Sequence, residues 1–236
     1  EYKLMGLAPY GSPQYADFIR SHLVEQRADG SFRLNLEYFN YCQGLTMTSP
    51  KFHRLFGAPP RPPESPIRQL DVDLAASIQL ITEEIVLNMA QHVRQKTGMQ
   101  RLCLAGGVAL NCVSNGRLLR EGPFEELWIQ PAAGDAGGSL GVAEYLWYQL
   151  LDNPREPEPG DSQRGSLLGP AFSEEQIRQF LEQAGAKYRL FENDATLCRT
   201  VAELLASENV VGWMQGRMEF GPRALGSRSI LGDPRS

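Results

Sequence analysis

The stretch RLCLAGGVALNCVSNGRLLREG, running from Arg101 to Gly122, joins a short apolar run to a pair of glycines and then to a polar segment. Leu102–Ala105 reads as a buried strand, Gly106–Gly107 as a tight turn, and the residues through about Arg120 as a short helix. A turn without side chains lets backbone N–H groups approach a ligand closely, and a helix that follows it points its positive end the same way. A nucleotide or a phosphate suits that arrangement. No G-K-[S/T] follows the glycines and no G-x-G-x-x-G is present, so neither the Walker loop nor the dinucleotide fingerprint applies. Asn111 combines donor and acceptor in one amide and is able to meet a sugar hydroxyl or a base. The other reading is that the glycines only permit close strand–helix packing while Asn111 faces solvent.

Around this stretch the pattern alternates. Upstream, Asp73 to Thr97 predicts a long helix, with Leu74, Ile78, Ile81, Ile85, Met89 and Val93 spaced three or four apart, Asp71 or Asp73 as cap and Gly98 as stop. Downstream, ELWIQP (Glu126–Pro131) predicts a second buried strand, and GDAGGSLGVAEYLWYQLL (Gly134–Leu151) a glycine-rich turn feeding another helix. Helices alternating with strands define an α/β fold. Nearer the start, SFRLNLEYF (Ser31–Phe39) alternates like a half-buried strand, and GAPPRPPESP (Gly57–Pro66), with five prolines in ten residues, is an extended loop.

Leu151–Pro170 interrupts the pattern with four prolines, three glycines and many charges, and predicts a linker between a domain at 1–150 and another at 171–236. Beyond it, Ser173–Gln176 is a capping box opening a helix to about Ala184, KYRLF (Lys187–Phe191) is a strand, Asp194–Ser207 a helix, and VVGWMQG (Val210–Gly216) a strand. The chain opens at Glu1 and closes just past a dense motif, which suggests a piece of a longer protein.

Composition narrows the function. The 236 residues are 42% hydrophobic and 22% charged, and the net charge of -5 gives no reason to expect nucleic acid or an anionic membrane as partner. No apolar run approaches the ~18 residues of a membrane span, and no signal peptide opens the chain. Four scattered cysteines, Cys42, Cys103, Cys112 and Cys198, argue for a reduced, cytoplasmic setting and against a cysteine-based zinc site, with Cys103 packed in its strand as a small hydrophobe.

Three further groups of residues bear on chemistry. Asp135 stands at a glycine-rich helix start, where its carboxylate either caps free N–H groups or offers an oxygen to a metal. Histidines 22, 53 and 92 are too scattered to complete a metal site. Lys3, in EYKLMGLAPYG (Glu1–Gly11), either contacts phosphate or pairs with Glu1 or solvent. In GRMEFGPRALGSRSILGDPR (Gly216–Arg235), four arginines in twenty residues lie on a glycine-rich backbone. Planar guanidinium forks there suit phosphate or carboxylate recognition, the plain alternative being a solvated loop.

Taken in order, EYKLMGLAPYG, LAGGVALNCVSNGRL, PAAGDAGGSLGVA and GRMEFGPRALGSRSIL resemble the O-carbamoyltransferase family of nodulation and antibiotic-tailoring enzymes, across nearly the whole chain. The resemblance implies a larger domain similar to the catalytic subunit of tRNA threonylcarbamoyladenosine synthase and to actin-like (RNase H-like) ATPases, followed by the start of a YrdC-like domain. It implies that ATP and carbamoyl phosphate form a carbamoyl-adenylate, whose carbamoyl group passes to a hydroxyl of a small-molecule acceptor. On matching positions, Lys3, Gly106, Gly107 and Asn111 would bind the nucleotide, Arg217, Arg223 and Arg228 the carbamoyl phosphate or another anion, and Asp135 a divalent metal, iron being expected, whose histidine ligands lie outside this chain. No catalytic residue is assigned, and the piece alone is expected to be inactive. An actin-like-fold kinase and a non-catalytic nucleotide-binding sensor are the alternatives.

Overall fold

The computed structural model describes residues 2–157, 159–222, 224–233 and 235. The chain divides into two compact units, Glu1–Ala133 and Gly134–Ser236. Both mix helices with small sheets, as an α/β reading requires.

The first unit is organised by one long helix, α4 (Gln69–Thr97). Before it come α1 (Tyr2–Leu7), α2 (Ala16–His22) and α3 (Pro50–Leu55), with strands β1 (Val24–Gln26) and β2 (Phe32–Leu34) paired antiparallel. After it come β3 (Arg101–Leu104), α5 (Cys112–Glu121) and β4 (Glu126–Ile129), with β3 and β4 parallel in the register Leu102–Leu127 and Leu104–Ile129. α4 starts earlier than the apolar spacing predicts. The Asp71 carboxylate accepts the N–H of Arg68 at 2.8 Å and closes the first turn, so Asp71 caps from within the helix. The stop is as expected: Gly98 takes a left-handed conformation, φ 67°, which glycine adopts without steric cost.

Two apolar clusters pack on α4. Ile81 joins Ala16, Ile19, Leu23, Val24 and Tyr38 on one side. Leu87 and Ala90 join Leu118 and Phe124 on another, with Leu102, Leu104 and Leu127 against them. Burial of this kind stabilises by about 25 cal/mol per Å² of apolar surface. Met89 and Val93 continue the predicted stripe but stay partly exposed, lining a largely apolar cavity of about 720 Å³ together with Phe32, Ile85, Leu102 and Leu104.

Two expectations for this unit change. β3 is half-buried: Leu102 and Leu104 face the cluster while Cys103 is exposed, because α4 and α5 cover one face of the strand only. All four cysteines are free thiols. The run Ser31–Phe39 is strand only to Leu34, because the Asn35 side chain accepts the N–H of Glu37 at 3.3 Å and starts a 3-10 turn at Leu36–Tyr38.

In the second unit a 3-10 turn (Asp135–Gly137) leads into α6 (Gly138–Tyr145), which relaxes into a π-helical turn at Leu146–Leu150. α7 (Glu174–Gln183) opens on the expected capping box, Gln176 N–H to Ser173 Oγ at 3.2 Å and Ser173 N–H to Gln176 Oε1 at 2.9 Å. α8 (Asp194–Ala206) opens on Asn193, and β5 (Val211–Met214) pairs antiparallel with β6 (Arg228–Leu231). Lys187–Phe191 is not a strand. Tyr188 and Leu190 are exposed, the segment has no ladder partner among the described residues, and Arg189 lies 4.6 Å over the Phe191 ring.

Candidate functional site

The turn after β3 follows from its glycines. Gly106 has φ 100°, a conformation a side chain rarely tolerates. Its N–H donates to Ala133 O at 2.7 Å and its carbonyl accepts from Ala109 N at 3.0 Å, turning the chain into a 3-10 segment at Gly107–Leu110. A methyl group placed on Gly106 or Gly107 would meet no atom within 4 Å. The glycines therefore do not serve close packing against the first unit's own atoms. The leading N–H groups of a helical turn have no partner inside it, so those of Gly107 and Val108 are the donors that this turn offers. Val108 and Ala109 also line one end of the apolar cavity.

Asn111 joins the turn to α5. Its N–H bonds Val108 O at 2.9 Å, and its Oδ1 accepts Ser114 N–H at 3.0 Å as the N-cap of α5. It is only 6% exposed, so the solvent-facing alternative falls. Its amide forms a reciprocal pair with Gln79 of α4, Nδ2 to Oε1 at 2.9 Å and Oδ1 from Nε2 at 3.2 Å. Gln79 Nε2 also donates to Glu83 Oε1 at 2.8 Å. Glu83 in turn holds Arg117 of α5 at 3.2 Å, and Arg117 reaches Glu121 at 3.0 Å. These carboxylates raise the Arg117 guanidinium above its ordinary range, Glu121 contributing most.

Lys3 is exposed on α1. The helix comes to the turn through Met5, whose sulfur lies 3.8 Å from the thiol of Cys112. The loop after α1 is pressed onto α4: a methyl group on Gly11 would lie 2.1 Å from Val72 O. There Asp73, which reads from sequence as a cap, is 2% exposed and accepts Ser12 N–H at 2.8 Å, Gln69 Nε2 at 3.0 Å and Gln14 Nε2 at 2.5 Å. The Ser12 N–H, chiefly, holds this carboxyl below the usual range despite its burial.

In the second unit Asp135 is exposed, and neither its own 3-10 turn nor α6 has a side-chain cap. The capping role is therefore not what its carboxylate does. Among the described residues no three His, Cys, Asp or Glu side chains gather as a metal site.

The arginine-rich motif is the connection of the β5–β6 hairpin, wrapped around an acid. Glu219 is 4% exposed and accepts Leu225 N–H at 3.0 Å and Ser227 N–H at 2.7 Å through Oε1. Burial pushes this carboxyl up, but the backbone N–H groups together outweigh it and hold it low. Arg228 Nε lies 3.5 Å from Glu219 Oε2 and its guanidinium also bonds Gly221 O. Arg217 Nη1 donates to Gly169 O at 2.6 Å. Both arginines thus brace the loop, and Arg223 lies outside the described residues.

The residues whose role the sequence does not reveal are Gln79, Asp73 and Glu219. Gln79 falls seven, four and three positions after Val72, Ala75 and Ala76, on a buried face that a solvated glutamine would not share. Glu219 is the only acid between Arg217 and Arg228.

The family model described as carbamoyltransferase N-terminus matches residues 1–144 and the one described as carbamoyltransferase C-terminus matches residues 202–236. The chain belongs to the carbamoyltransferase family. It is 58% identical to an uncharacterized Synechocystis protein, sll1178, over all of this chain and 38% of that protein. It is 38% identical to nodulation protein NolO of Bradyrhizobium diazoefficiens, over all of this chain and 40% of the relative. With the 3'-hydroxymethylcephem-O-carbamoyltransferase of Amycolatopsis lactamdurans it shares 26% identity, over 98% of this chain and 39% of that enzyme. The chain thus spans about two fifths of the length of these relatives. Among the described residues no helix is long and apolar enough to cross a membrane.

Proposed function

We propose that this chain is part of an ATP-dependent O-carbamoyltransferase, which makes a carbamoyl-adenylate from carbamoyl phosphate and ATP with release of phosphate and pyrophosphate, and passes the carbamoyl group to a hydroxyl of a small-molecule acceptor with release of AMP. In this reading residues 1–150 belong to an actin-like transfer domain and residues 171–236 open a YrdC-like, adenylate-forming domain, joined through 151–170. The observation that carries it is the Gly106–Gly107 turn at the end of β3, with open space where side chains would stand and an apolar cavity at its flank. Such a concave, largely apolar space with a few backbone donors suits a nucleotide. Gly106, Gly107 and Lys3 would face the nucleotide, and Asn111 would hold the turn that does so.

Asp135 enters as one metal ligand, and its carboxylate, unused as a cap, supports that role. A divalent metal would polarise the carbamoyl carbonyl. The other ligands would come from outside this chain. Arg217, Arg223 and Arg228 would form the anion site, with Glu219 fixing the loop that presents them.

The test is Gly107→Val in the full-length protein. The added side chain meets no atom of the first unit within 4 Å at Cβ, so the fold is expected to persist while binding of AMP and ADP is lost in calorimetry. Unchanged binding would show that the turn is structural. Pyrophosphate release from ATP that requires carbamoyl phosphate separates this reading from a kinase, which releases ADP.

A further inference from the structure

The short-range bonds of the turn fix its shape but not its place. Ala109 N–H to Gly106 O, Asn111 N–H to Val108 O and Asn115 Nδ2 to Ala109 O, at 3.0, 2.9 and 2.7 Å, all close within ten residues. Gly106 N–H to Ala133 O holds the start of this piece at 2.7 Å, and what ties its end to α4 is a bond pair between residues 32 positions apart, Gln79 and Asn111, with the Glu83–Arg117 ion pair holding α5 beyond it. We infer that Gln79 is the positioning residue of the Gly106–Gly107 turn, setting its height on α4 through the amide pair and thereby its affinity for an adenine nucleotide. The inference rests on the nucleotide reading given above.

Three features support it. The first is burial: Gln79 and Asn111 are 5% and 6% exposed, where polar groups cost free energy unless fully bonded. The second is that the pair admits one arrangement only. Ser114 N–H requires the Asn111 oxygen, and that oxygen then requires a Gln79 N–H. The Glu83 carboxylate requires the other Gln79 N–H, which leaves the Gln79 oxygen for Asn111 Nδ2. Amide groups whose ends are all dictated by neighbours cannot flip or slide without orphaning a buried group. The third is that Asn111 is a shared joint. It ends the 3-10 segment and starts α5, so its position moves both walls of the turn together.

A buried pair of this kind adds little stability over an apolar pair of the same shape. Its distinctive effect is register: a methionine in place of Gln79 fills similar space but lets the turn slide along α4.

The experiment uses the full-length protein, with AMP and ADP as probes in titration calorimetry and thermal unfolding followed in parallel. Binding is measured where every variant is fully folded. Gln79→Met is expected to weaken AMP affinity about tenfold, the lower end of what removing a partner that orients a ligand group costs elsewhere. Gln79→Asn, one methylene too short to hold the pair, should do the same and serves if Gln79→Met does not fold. Gln69→Met alters the same helix at a bond to Asp73 and should lower the melting temperature without changing AMP affinity. A purely structural Gln79 would likewise change melting and not affinity. If the parent binds AMP or ADP and both Gln79 variants bind within twofold of it, the positioning role is overturned while the nucleotide reading stands. Equal weakening by Gln69→Met overturns it too, since helix loosening then accounts for the effect. A parent that binds neither nucleotide overturns both.

Discussion

Residues 1–133 and 134–236 are held together by different physics. The first unit buries aliphatic and aromatic side chains in two clusters along α4, down to Ile19 at 1% and Leu118 at 0% exposure. In the second unit the only residues buried as a whole, among the described residues, are Ser166 and Glu219, both polar. Many of its large apolar residues, among them Tyr145, Trp147, Phe172 and Phe180, are exposed. Ordering one residue costs about 1–2 kcal/mol in backbone entropy, and apolar burial is the main term that offsets it. The second unit offsets it locally, through the caps of α7 and α8 and the carboxylate inside the β5–β6 loop. Element formation and core formation are thus separable: good capping specifies helices even where no apolar core among the described residues closes over them.

The sharpest way to break this contrast is amide hydrogen exchange on the present chain. Regions open locally with free energies that follow their buried apolar contacts. Amides of α4 and α5 are expected to exchange at least about a hundredfold more slowly than those of α7 and α8, which corresponds to roughly 2.7 kcal/mol. Equal protection in both units would mean that the second has a source of stability other than apolar burial.

The next contrast lies within the first unit, between two glycines of two motifs. Gly11 has no room, its virtual methyl group lying 2.1 Å from Val72 O and 2.7 Å from Asp73 N, whereas Gly107 has nothing within 4 Å. Gly11→Ala presses on helix backbone, which cannot yield cheaply, and is expected to cost about 2–3 kcal/mol, the upper range for overpacking. Gly107→Ala is expected to stay within ~0.5 kcal/mol, the range for substitutions away from packed features. Urea unfolding followed by a probe in the first unit measures both. Similar costs for the two would place the glycines in the same structural role.

How far the sequence leads follows the same division. Strong local signals carry through in the three-and-four spacing of α4 with Gly98 as its stop, the Ser173 capping box and the strands at β3, β4 and β5, although a local turn at Asn35 cuts the Ser31–Phe39 strand short. The reading fails where a partner distant in sequence decides. Asp73 reads as a cap because it stands near a helix start, yet its partners Ser12 and Gln14 are about sixty positions away. Asn111 reads as ligand-facing or solvated because nothing nearby reveals Gln79. Lys187–Phe191 has strand composition but no strand to pair with among the described residues, and pairing, more than propensity, makes a strand. Asp135 shows the converse: a carboxylate in a favourable capping position that caps nothing.

The smallest effect compares two buried carboxylates, one from each unit. Asp73 is held below the ordinary carboxyl range chiefly by the Ser12 N–H, and Glu219 by the backbone N–H groups that outweigh its burial. A carboxyl whose folded value lies below its unfolded one, about 3.9 for Asp and 4.3 for Glu, contributes stability at all pH above that unfolded value. The contribution is lost as pH falls through the folded value, when the proton displaces the N–H donors. Both units are therefore fully supported near neutrality, and weaken only below about pH 4. The consequences differ, because losing Asp73 leaves two apolar clusters in place, whereas losing Glu219 removes what the loop between β5 and β6 is wrapped around. In an acid titration followed by backbone amide resonances, the Ser12, Leu225 and Ser227 signals are expected to shift with midpoints below the ordinary carboxyl values. The Leu225 and Ser227 amides should then lose their exchange protection while α4 keeps its own. A midpoint at or above 4.3 for the Leu225 and Ser227 pair would mean that burial governs Glu219, and that the loop is shaped by Arg228 and the Gly221 carbonyl instead.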